Sequence, residues 1–275
     1  MKAIDISVII STYNNPKWLQ KVLWSFDVQT FKNFEVVIAD DGSNEDTKSL
    51  IDTMASQVSF PIQHIWHKDQ GFQKTIILNK ATVASKGDYL VYTDGDCIAR
   101  ADFLQVHASR REAGYFLSGG YFKLPMDISE TITETDIKNQ HCFNINWLKQ
   151  HGLKSSFKNN KLTSKGLKEK LLNAITPTTA TWNGHNSSGF KSDILAANGY
   201  DERMQYGGED RELGERLFNA GIKAKQIRYS AVCLHLDHAR GYVKPEMIEK
   251  NKAIRATTKS KKITKTPFGI EKLSS

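Results

Sequence analysis

Two aspartates at the end of a predicted strand are well suited to bind a metal ion. Asp94 and Asp96 stand one residue apart in the segment Thr-Asp-Gly-Asp, directly after an apolar run. Two carboxylates on one tight turn can point in the same direction, and carboxylate oxygens are ligands that Mg²⁺ and Mn²⁺ prefer. The pair therefore predicts a divalent metal site, which would neutralise the charge of a bound diphosphate.

A second acidic pair, Glu209 and Asp210, follows two glycines in Tyr-Gly-Gly-Glu-Asp. Gly207 and Gly208 free the backbone, and both acids fall in the first turn of a predicted helix. Two interpretations remain open. Acidic side chains are favourable at a helix N-terminus because they face the positive end of the helix dipole. Alternatively, one of the two faces a binding crevice and acts as a general base.

Two histidines lie at the end of a late apolar strand predicted over 227–236, in the segment His-Leu-Asp-His. A single histidine is more often structural than a metal ligand. Two of them near an aspartate pair predict that one completes the metal site, because neutral imidazole is a common metal ligand. His235 is the favoured ligand, and His238 is the alternative.

Polar loops follow the first four predicted strands. They are Ser11-Thr12-Tyr13-Asn14, Asp40-Asp41-Gly42-Ser43, His67 to Phe72 and Asp94-Gly95-Asp96. Ligands of open parallel sheets bind at the carboxyl ends of the strands, where such loops meet. Taken alone, Asp40 and Asp41 are also consistent with a purely structural role, in a turn that is followed by a helix cap. Four polar loops on one edge predict a ligand crevice.

The elements that would position these loops alternate along the first hundred residues. Strands are predicted over 4–10, 34–39, 61–66 and 89–93, and helices from Pro16, from the segment after Ser43 to Met54, and over 73–85. This alternation predicts an α/β fold with a mostly parallel sheet flanked by helices. The sequence lacks the glycine-rich phosphate loops of dinucleotide-binding dehydrogenases and P-loop proteins, which argues against both classes.

A later loop combines aromatic and short polar side chains, in Trp-Asn-Gly-His-Asn-Ser-Ser-Gly-Phe over 182–190. Sugar hydroxyls are commonly bound by such combinations, and an ordinary loop is the alternative. The candidate sugar contacts, from either donor or acceptor, are Trp182, Asn183, Asn186, Gly207 and Gly208. The preceding segment, 126–181, is polar and mixed, and we expect it to contribute to the acceptor side.

Composition bounds the class of protein. The chain has 275 residues, a length that allows one large domain or two small ones. Its three scattered cysteines indicate a reducing compartment rather than a disulfide framework. The sequence shows neither a signal-peptide pattern nor an apolar stretch of about 20 residues. We therefore expect a soluble protein of the cytoplasm.

Basic charge is concentrated at the C-terminus, where residues 241–275 contain nine basic and three acidic side chains. A solvated segment is one interpretation. Attraction to an anionic membrane surface, with the protein peripheral to the inner face of the membrane, is another. Nucleic acid is not an expected partner, because the segment has few aromatic residues and no nucleic-acid-binding module accompanies it.

Taken in order, these motifs resemble those of the family 2 glycosyltransferases with the GT-A fold. The similar segments are Val8 to Asn14, Val37 to Ser43, Thr93 to Asp96, Asn183 to Phe190, Gly199 to Glu202 and Gly207 to Asp210. Trp66 to Phe72, with Asn79, is typical of bacterial surface-polysaccharide members. The C-terminal motifs resemble lipopolysaccharide and chondroitin-type transferases and animal β-1,4-galactosyltransferases.

The resemblance implies one Rossmann-like GT-A domain over 1–240, followed by a basic tail over 241–275. Its nucleotide-binding half would be 1–125 and its acceptor-binding half 126–240. Nucleotide or donor-sugar contacts would come from Ser11, Thr12, Tyr13, Asp40, Asp41, Asp69, Lys74, Asn79 and Asp94. Asp96 would bind the metal directly with His235, while Asp94 would lie at the ribose or the metal's waters. Asp210 would be the catalytic base, and Glu209 would contact the acceptor hydroxyl.

The implied activity is inverting, metal-dependent transfer of a sugar to a glycan or lipid-linked glycan in bacterial surface polysaccharide synthesis. A UDP-sugar is the expected donor, with Asp41 accepting from uracil, and Mn²⁺ or Mg²⁺ is the expected cofactor. Because an ordinary aspartate has a pKa of about 3.9, Asp210 is expected to be ionised at neutral pH without tuning. The alternatives are a sugar nucleotidyltransferase, which would want a glycine-rich loop after the first strand, and a non-catalytic carbohydrate-binding protein, which would not need the acidic pairs.

Overall fold

A seven-stranded sheet lies at the centre of the protein, whose computed structural model describes residues 3–239 and 244–272. In its first part the predicted alternation is confirmed, with β1 (Ile6–Thr12), α1 (Pro16–Asp27), β2 (Phe34–Asp40), α2 (Glu45–Gln57), β3 (Ile62–Trp66), α3 (Lys74–Ala84) and β4 (Tyr89–Asp94). β1 pairs in parallel with β2 and with β4, and β2 pairs in parallel with β3. The carboxyl ends of all four strands therefore lie at one edge of the sheet.

The apolar runs of these strands are buried on both faces. Every residue of β2 is buried, and successive side chains of a strand point to opposite faces. Val8 packs in a cluster with α1 and α2, whereas Ile9 packs in a second cluster with residues of α3. Helices therefore cover both faces of the sheet, which explains why the strands read as continuous apolar runs.

The segment over 126–181, whose polar and mixed sequence shows helical patches at 145–148 and 167–174, contains short helices. After β4 the chain forms β5 (Cys97–Ala99), α4 (Phe103–Arg110), β6 (Tyr115–Ser118), β7 (Gly120–Lys123), α5 (Met126–Thr131), α6 (Glu134–Lys138), α7 (Ile145–Gln150), α8 (Asn160–Thr163) and α9 (Gly166–Ile175), with 3₁₀ turns at His141–Phe143 and Phe157–Asn159. Ile128, Ile137 and Leu148 pack in one buried cluster with Trp18 of α1. These helices are thus held by apolar packing, except for α9, which buries no residue.

The C-terminal part completes the central sheet and adds a second one. Its elements are β8 (Ser187–Phe190), α10 (Lys191–Ala196), α11 (Glu209–Asn219), β9 (Lys223–Gln226), β10 (Val232–His235) and α12 (Pro245–Ser260). The central sheet has the order β3-β2-β1-β4-β8-β6-β9, with β8 antiparallel to β4 and β6. In the second sheet, β10 lies between β5 and β7, and His235 is the register partner of Cys97. This pairing brings the end of β10 beside Asp96.

The basic C-terminal segment is part of the fold rather than a separate tail. Asn251 of α12 is fully buried, and its side-chain amide donates to the carbonyl oxygens of Gln205 (2.8 Å) and Gly207 (3.2 Å). Arg255 pairs with Glu215 of α11. The predicted boundary between 240 and 241 lies outside the described residues, but the described part of the segment packs on the domain. Four of its nine basic residues lie on α12, and the other five lie outside that helix.

Candidate active site

A cavity of about 810 Å³ opens at the carboxyl ends of β1, β2 and β4. It brings together ten residues predicted from the sequence: Ser11, Thr12, Tyr13, Asp41, Lys74, Asp94, Asp96, Glu209, Asp210 and His235. The first seven come from strand ends and from α3, whereas the last three come from the C-terminal part. The predicted crevice is therefore present, and both halves of the chain contribute to it.

Asp94 forms an ion pair with Lys74 on the β1 side of the cavity. The Nζ of Lys74 (2.8 Å) and the Oγ of Ser11 (2.7 Å) both donate to the Oδ1 of Asp94. Burial alone would raise the pKa of Asp94, but the ammonium of Lys74 outweighs it and holds that pKa well below its usual range. Asp94 is thus an ionised carboxylate whose position is fixed by two neighbours.

Asp96 and two histidines form a cluster with the geometry of a metal site. The candidate ligand atoms of Asp96, His235 and His238 all lie within 4.8 Å of one another. The Nε2 of His238 lies 3.0 Å from the Oδ2 of Asp96, and the Nε2 of His235 lies 3.6 Å from it. The sequence left open which histidine approaches Asp96, and the structure brings both.

The proton positions of these histidines suit metal binding. The Nδ1 of His235 donates to the carbonyl oxygen of Leu236 (2.8 Å), and the Nδ1 of His238 donates to that of Ala239 (2.9 Å). A carbonyl oxygen only accepts, so each Nδ1 carries a proton, and a ring whose Nε2 carries none can present that lone pair to a metal. Two imidazole lone pairs and a carboxylate repel one another when they converge, so a proton or a cation must lie between them. The donor set fits a divalent cation.

Asp41 lies at the far end of the cavity and is held from two sides. Its Oδ1 is 2.8 Å from the Nε2 of His67, and its Oδ2 accepts from the backbone N–H of Gln73 at 3.0 Å. Burial raises the pKa of Asp41 above its usual value. Each oxygen keeps a lone pair for a further donor, so Asp41 can accept from a bound ring N–H. His67 was not predicted as a site residue, although it lies in one of the polar loops.

Tyr13 and Asp69 form the exposed rim of this end. The hydroxyl of Tyr13 donates to the Oδ2 of Asp69 (2.9 Å), and half of the Tyr13 side chain is exposed. Asp69 also accepts from the backbone N–H of Gly71. Tyr13 lines the cavity, whereas Asp69 is not among the described residues that do. Asp69 therefore reaches the cavity only through the tyrosine that it holds.

Glu209 and Asp210 begin α11 and have different surroundings. The Oε2 of Glu209 accepts from the backbone N–H of Gly207 (2.8 Å), which closes the turn before the helix. Asp210 is turned into the cavity, and its Oδ1 is buried with no hydrogen-bond partner among the described residues. Burial and the neighbouring charge of Glu209 raise the pKa of Asp210 to about 7. The expectation that Asp210 keeps an ordinary pKa is therefore wrong, because it did not include burial.

His185 lines the same cavity and was missed by the sequence analysis. Its ring packs edge-on against Tyr121, with centroids 4.7 Å apart. Burial lowers the pKa of His185 to about 4, so the imidazole is neutral near pH 7. A signal existed for His185, which lies between Asn183 and Asn186 in the loop singled out for sugar binding. Tyr121, on β7, had no signal in the sequence.

Two residues predicted to bind the nucleotide or donor have structural roles instead. Asp40 is fully buried and accepts from the backbone N–H of Ser43 (2.8 Å), while its second oxygen contacts His64. Asn79 of α3 exchanges hydrogen bonds with the backbone of Tyr200. Neither residue lines the cavity among the described residues. Asp40 holds the turn after β2, and Asn79 fastens α3 to a C-terminal loop.

The predicted sugar contacts Trp182, Asn183 and Asn186 also lie away from the cavity. Trp182 is fully buried, donates to the hydroxyl of Tyr200 (3.0 Å) and belongs to the core on the α3 side of the sheet. Asn186 is buried and donates to two backbone carbonyl oxygens, and Asn183 accepts from the N–H of Asn186. The prediction that these side chains face a sugar is corrected, because their polar groups are used to shape the loop.

Gly207 and Gly208 shape the backbone beside the cavity without lining it. Both have positive φ angles, 106° and 96°, a conformation that glycine adopts without strain. A Cβ on Gly207 would lie 3.2 Å from Ile248, and a Cβ on Gly208 would lie 3.1 Å from Arg255. The glycines therefore allow the turn before Glu209 to pack closely against α12.

Comparison with known proteins agrees with this geometry. The family model described as glycosyl transferase family 2 matches residues 7–174, more than half of the chain. The chain belongs to glycosyl transferase family 2. Within this family 2 member, the match includes Ser11, Asp41, Asp94 and Asp96, but ends before Asp210 and both histidines of the cluster.

Relatives and solved structures extend the comparison across the rest of this family 2 chain. The chain is 26% identical over 246 residues to a chondroitin synthase of Escherichia coli. The match covers 81% of the chain but only 33% of that synthase. The structure of S. aureus TarS 1–349 in complex with UDP has a TM-score of 0.61 and 15% identity, and the match covers 94% of the chain and 68% of that protein.

A mannosyltransferase, PcManGT from Pyrobaculum calidifontis, solved in complex with GDP-Man and Mn²⁺, has a TM-score of 0.56 and 16% identity. That match covers 88% of the chain and 59% of the mannosyltransferase. At this level of identity the likeness shows the fold alone, and it confirms the predicted GT-A fold.

Proposed function

We propose that this protein is an inverting, metal-dependent glycosyltransferase that moves a sugar from a UDP-sugar to a hydroxyl group of a glycan acceptor. The observation that carries the proposal is the meeting of two chemical groups in one cavity. The cluster of Asp96, His235 and His238 suits a cation that binds a diphosphate. Asp210 offers a buried carboxylate, one oxygen of which has no hydrogen-bond partner among the described residues. A transferase needs both groups, one for the leaving group and one for the attacking hydroxyl.

The donor side binds the nucleotide through fixed polar groups. Asp41 accepts from an N–H of the base, and Ser11 with Asp94 meets the ribose. A metal held by Asp96, His235 and His238 would supply positive charge against the developing charge of the departing diphosphate. This set of imidazole and carboxylate ligands suits Mn²⁺ better than Mg²⁺, which prefers oxygen ligands. The structures of TarS with UDP and of PcManGT with GDP-Man and Mn²⁺ support a nucleotide-sugar donor with a divalent ion.

The acceptor side removes a proton. Asp210 accepts a hydrogen bond from the acceptor hydroxyl and takes its proton as that oxygen bonds to the anomeric carbon of the donor sugar. The bond from the anomeric carbon to the diphosphate oxygen breaks on the opposite side, which inverts the configuration. A pKa near 7 suits a base, because the carboxylate is then basic enough to accept a proton and about half of it is ionised at neutral pH.

Trp182 is fully buried. This position weighs against a carbohydrate-binding protein, because that hypothesis needs an exposed aromatic face to contact the sugar. A sugar nucleotidyltransferase gains no support, because the loop after β1 is Ser-Thr-Tyr-Asn rather than glycine-rich. We infer a role in bacterial surface polysaccharide synthesis from the similarity to the chondroitin synthase, with a glycan or lipid-linked glycan as acceptor. The likeness of the C-terminal motifs to galactosyltransferases and the cytoplasmic location remain predictions.

Calorimetric titration of the purified protein with UDP, with and without Mn²⁺, tests the donor side. We expect UDP to bind only with Mn²⁺ and more tightly than GDP. Asp96→Ala should weaken the Mn²⁺-dependent binding of UDP, whereas Asp52→Ala, on an exposed face of α2, should bind UDP as the wild type does. Absence of binding by both nucleotides in the presence of Mn²⁺ would contradict the proposal.

Screening UDP-sugars for release of UDP then tests the reaction. A transferase releases UDP faster when an acceptor glycan is added, and a binding protein releases none under either condition. The stereochemistry of the product, measured by NMR, decides whether the reaction inverts the anomeric carbon.

A further inference from the structure

The outer face of α9 is apolar although it faces solvent. Leu167, Leu171 and Ile175 are 85%, 57% and 61% exposed. Residues spaced by four lie on one face of a helix, so the three side chains form one ridge about 12 Å long at 1.5 Å per residue. In the described part of the chain, eleven large hydrophobic side chains are exposed, and four of them fall within 157–175, including Phe157.

The inner face of α9 is largely polar, with half-buried Leu172 beside Glu169 and Asn173, the reverse of the usual arrangement of a surface helix. Asn173 donates to the hydroxyl of Ser230 (2.9 Å) and accepts from the backbone N–H of Tyr229 (2.9 Å). Ser230 also donates to Glu169, one turn earlier on the helix. These contacts fix the rotation of α9, so its apolar ridge is held outward.

Basic side chains flank this ridge. At 100° per residue, Lys168 and Lys170 project on opposite sides of the line through Leu167 and Leu171. The segment 154–175 contains five exposed lysines, Lys154, Lys158, Lys165, Lys168 and Lys170. Its single acid, Glu169, is turned toward Ser230. An outward apolar ridge with lysines beside it is the pattern of a helix that lies in a membrane interface.

We propose that α9 docks the protein on an anionic membrane surface, with its apolar ridge in the headgroup region and its lysines against lipid phosphates. Charge complementarity selects this occupant, because a strongly basic rim attracts anionic headgroups. The helix α12, though rich in lysine, offers charge without such a ridge, since it packs on α11 and Ile248 faces Gly207. No helix of the described residues has the length and apolar character of a membrane span.

Docking through α9 would also orient the cavity. The Nζ of Lys161, on α8 just before α9, donates to the carbonyl oxygen of Tyr121 (2.7 Å), and Tyr121 lines the cavity. The Tyr121 side of the cavity would thus face the headgroups, where a lipid-linked glycan would be presented. This orientation rests on the proposed function, whereas the docking itself does not.

Vesicle sedimentation tests the docking directly with the full chain. We expect binding to phosphatidylglycerol–phosphatidylcholine vesicles and none to pure phosphatidylcholine. Leu171→Glu should weaken the partition coefficient by about 10- to 100-fold, the factor for losing one buried leucine side chain. Leu171→Trp should strengthen it, because tryptophan favours the interface. Both variants change an exposed side chain, and thermal unfolding checks that they fold.

A charge-matched pair locates the contact. Lys168→Glu with Lys170→Glu should lose binding to the anionic vesicles, whereas Lys250→Glu with Lys261→Glu, which changes the net charge equally on the C-terminal segment, should keep it. Equal loss in both double variants would overturn the proposal in favour of general attraction. Absence of vesicle binding by the wild type would also overturn it, as would a wild-type dimer in light scattering that Leu171→Glu makes monomeric. UDP binding, measured in parallel, fails independently if the proposed function is wrong.

Discussion

The donor side and the acceptor side of the cavity are built in different ways. On the donor side, Ser11, Asp41 and Asp94 each lie at or directly after the end of a parallel strand, and the strand ladder fixes their spacing. On the acceptor side, Asp210 lies on α11, after a turn that Asn251 of α12 holds from far along the chain. Under the proposed function, contacts to the base and ribose would depend on the sheet edge, whereas proton transfer would depend on the packing of the C-terminal helix on α11.

Asp210→Asn should separate the two sides most strongly. Turnover should fall about 10²- to 10⁴-fold, the usual contribution of a general base, because an amide cannot take the proton. Binding of UDP with Mn²⁺ should be unchanged, because Asp210 does not hold the nucleotide. Steady-state kinetics and calorimetry on one preparation check this, and near-normal turnover would show that another group is the base.

Asp41→Asn should give the opposite result. The affinity for UDP should fall about tenfold, since a hydrogen bond to a charged group contributes more than one to a neutral group, while turnover at saturating donor should stay close to normal. Asp40→Asn is the matched control beside it. That variant should lower thermal stability, because Asp40 holds a buried turn, and leave UDP affinity intact. Equal loss of affinity in both variants would remove Asp41 from the nucleotide site.

Asn251→Asp tests the dependence of the acceptor side on α12. The aspartate cannot donate to the carbonyl oxygens of Gln205 and Gly207, so the turn before Asp210 should loosen and turnover should fall about 10- to 100-fold. Asn219→Asp is the control, because Asn219 also donates twice, to Thr258 and Ile263, but does not touch that turn. Chemical denaturation should show a loss of about 1–3 kcal/mol in each variant. Similar turnover in the two would mean that α12 only stabilises the fold.

Glu209→Gln should have the smallest effect of these substitutions, a shift in the pH profile of kcat/KM. Asp210 must be deprotonated to act, so kcat/KM of the wild type should fall as the pH drops through about 7. Removing the charge of Glu209 lowers the pKa of Asp210, and the falling limb should move to lower pH. Glu249→Gln, on an exposed part of α12, should leave the limb in place. An unmoved limb in Glu209→Gln would assign it to a different group.

The first half of the fold was predictable because its signals are local. Buried strands appear as apolar runs, and Pro16 marks the start of α1. The side chain of Asn15 caps that helix, as that of Asn44 caps α2. Parallel pairing then brings the strand ends to one edge whatever the rest of the chain does. For this reason the polar loops after β1, β2 and β4 were correctly predicted to meet at one cavity.

The errors arose where a side chain has two uses. Trp182 and Asn186 have the composition of a sugar-binding loop, yet burial turns the same groups toward the core and toward backbone carbonyls. Asp40 and Asp41 are adjacent, and only their opposite orientations decide that one holds a turn and the other faces the cavity. A type of residue does not reveal which side of a loop it occupies.

The alternating α/β fold, the carboxylates at the ends of its strands and the acidic start of α11 could all be inferred from local patterns in the sequence. Tertiary structure alone decided that β10 pairs with β5, which brings His235 and His238 to Asp96, and that α12 packs on α11. It also decided the burial that raises the pKa of Asp210. The physical reason is the range of the interactions. Strand, helix and turn preferences act between near neighbours, whereas burial and pairing join residues that only the complete fold brings together.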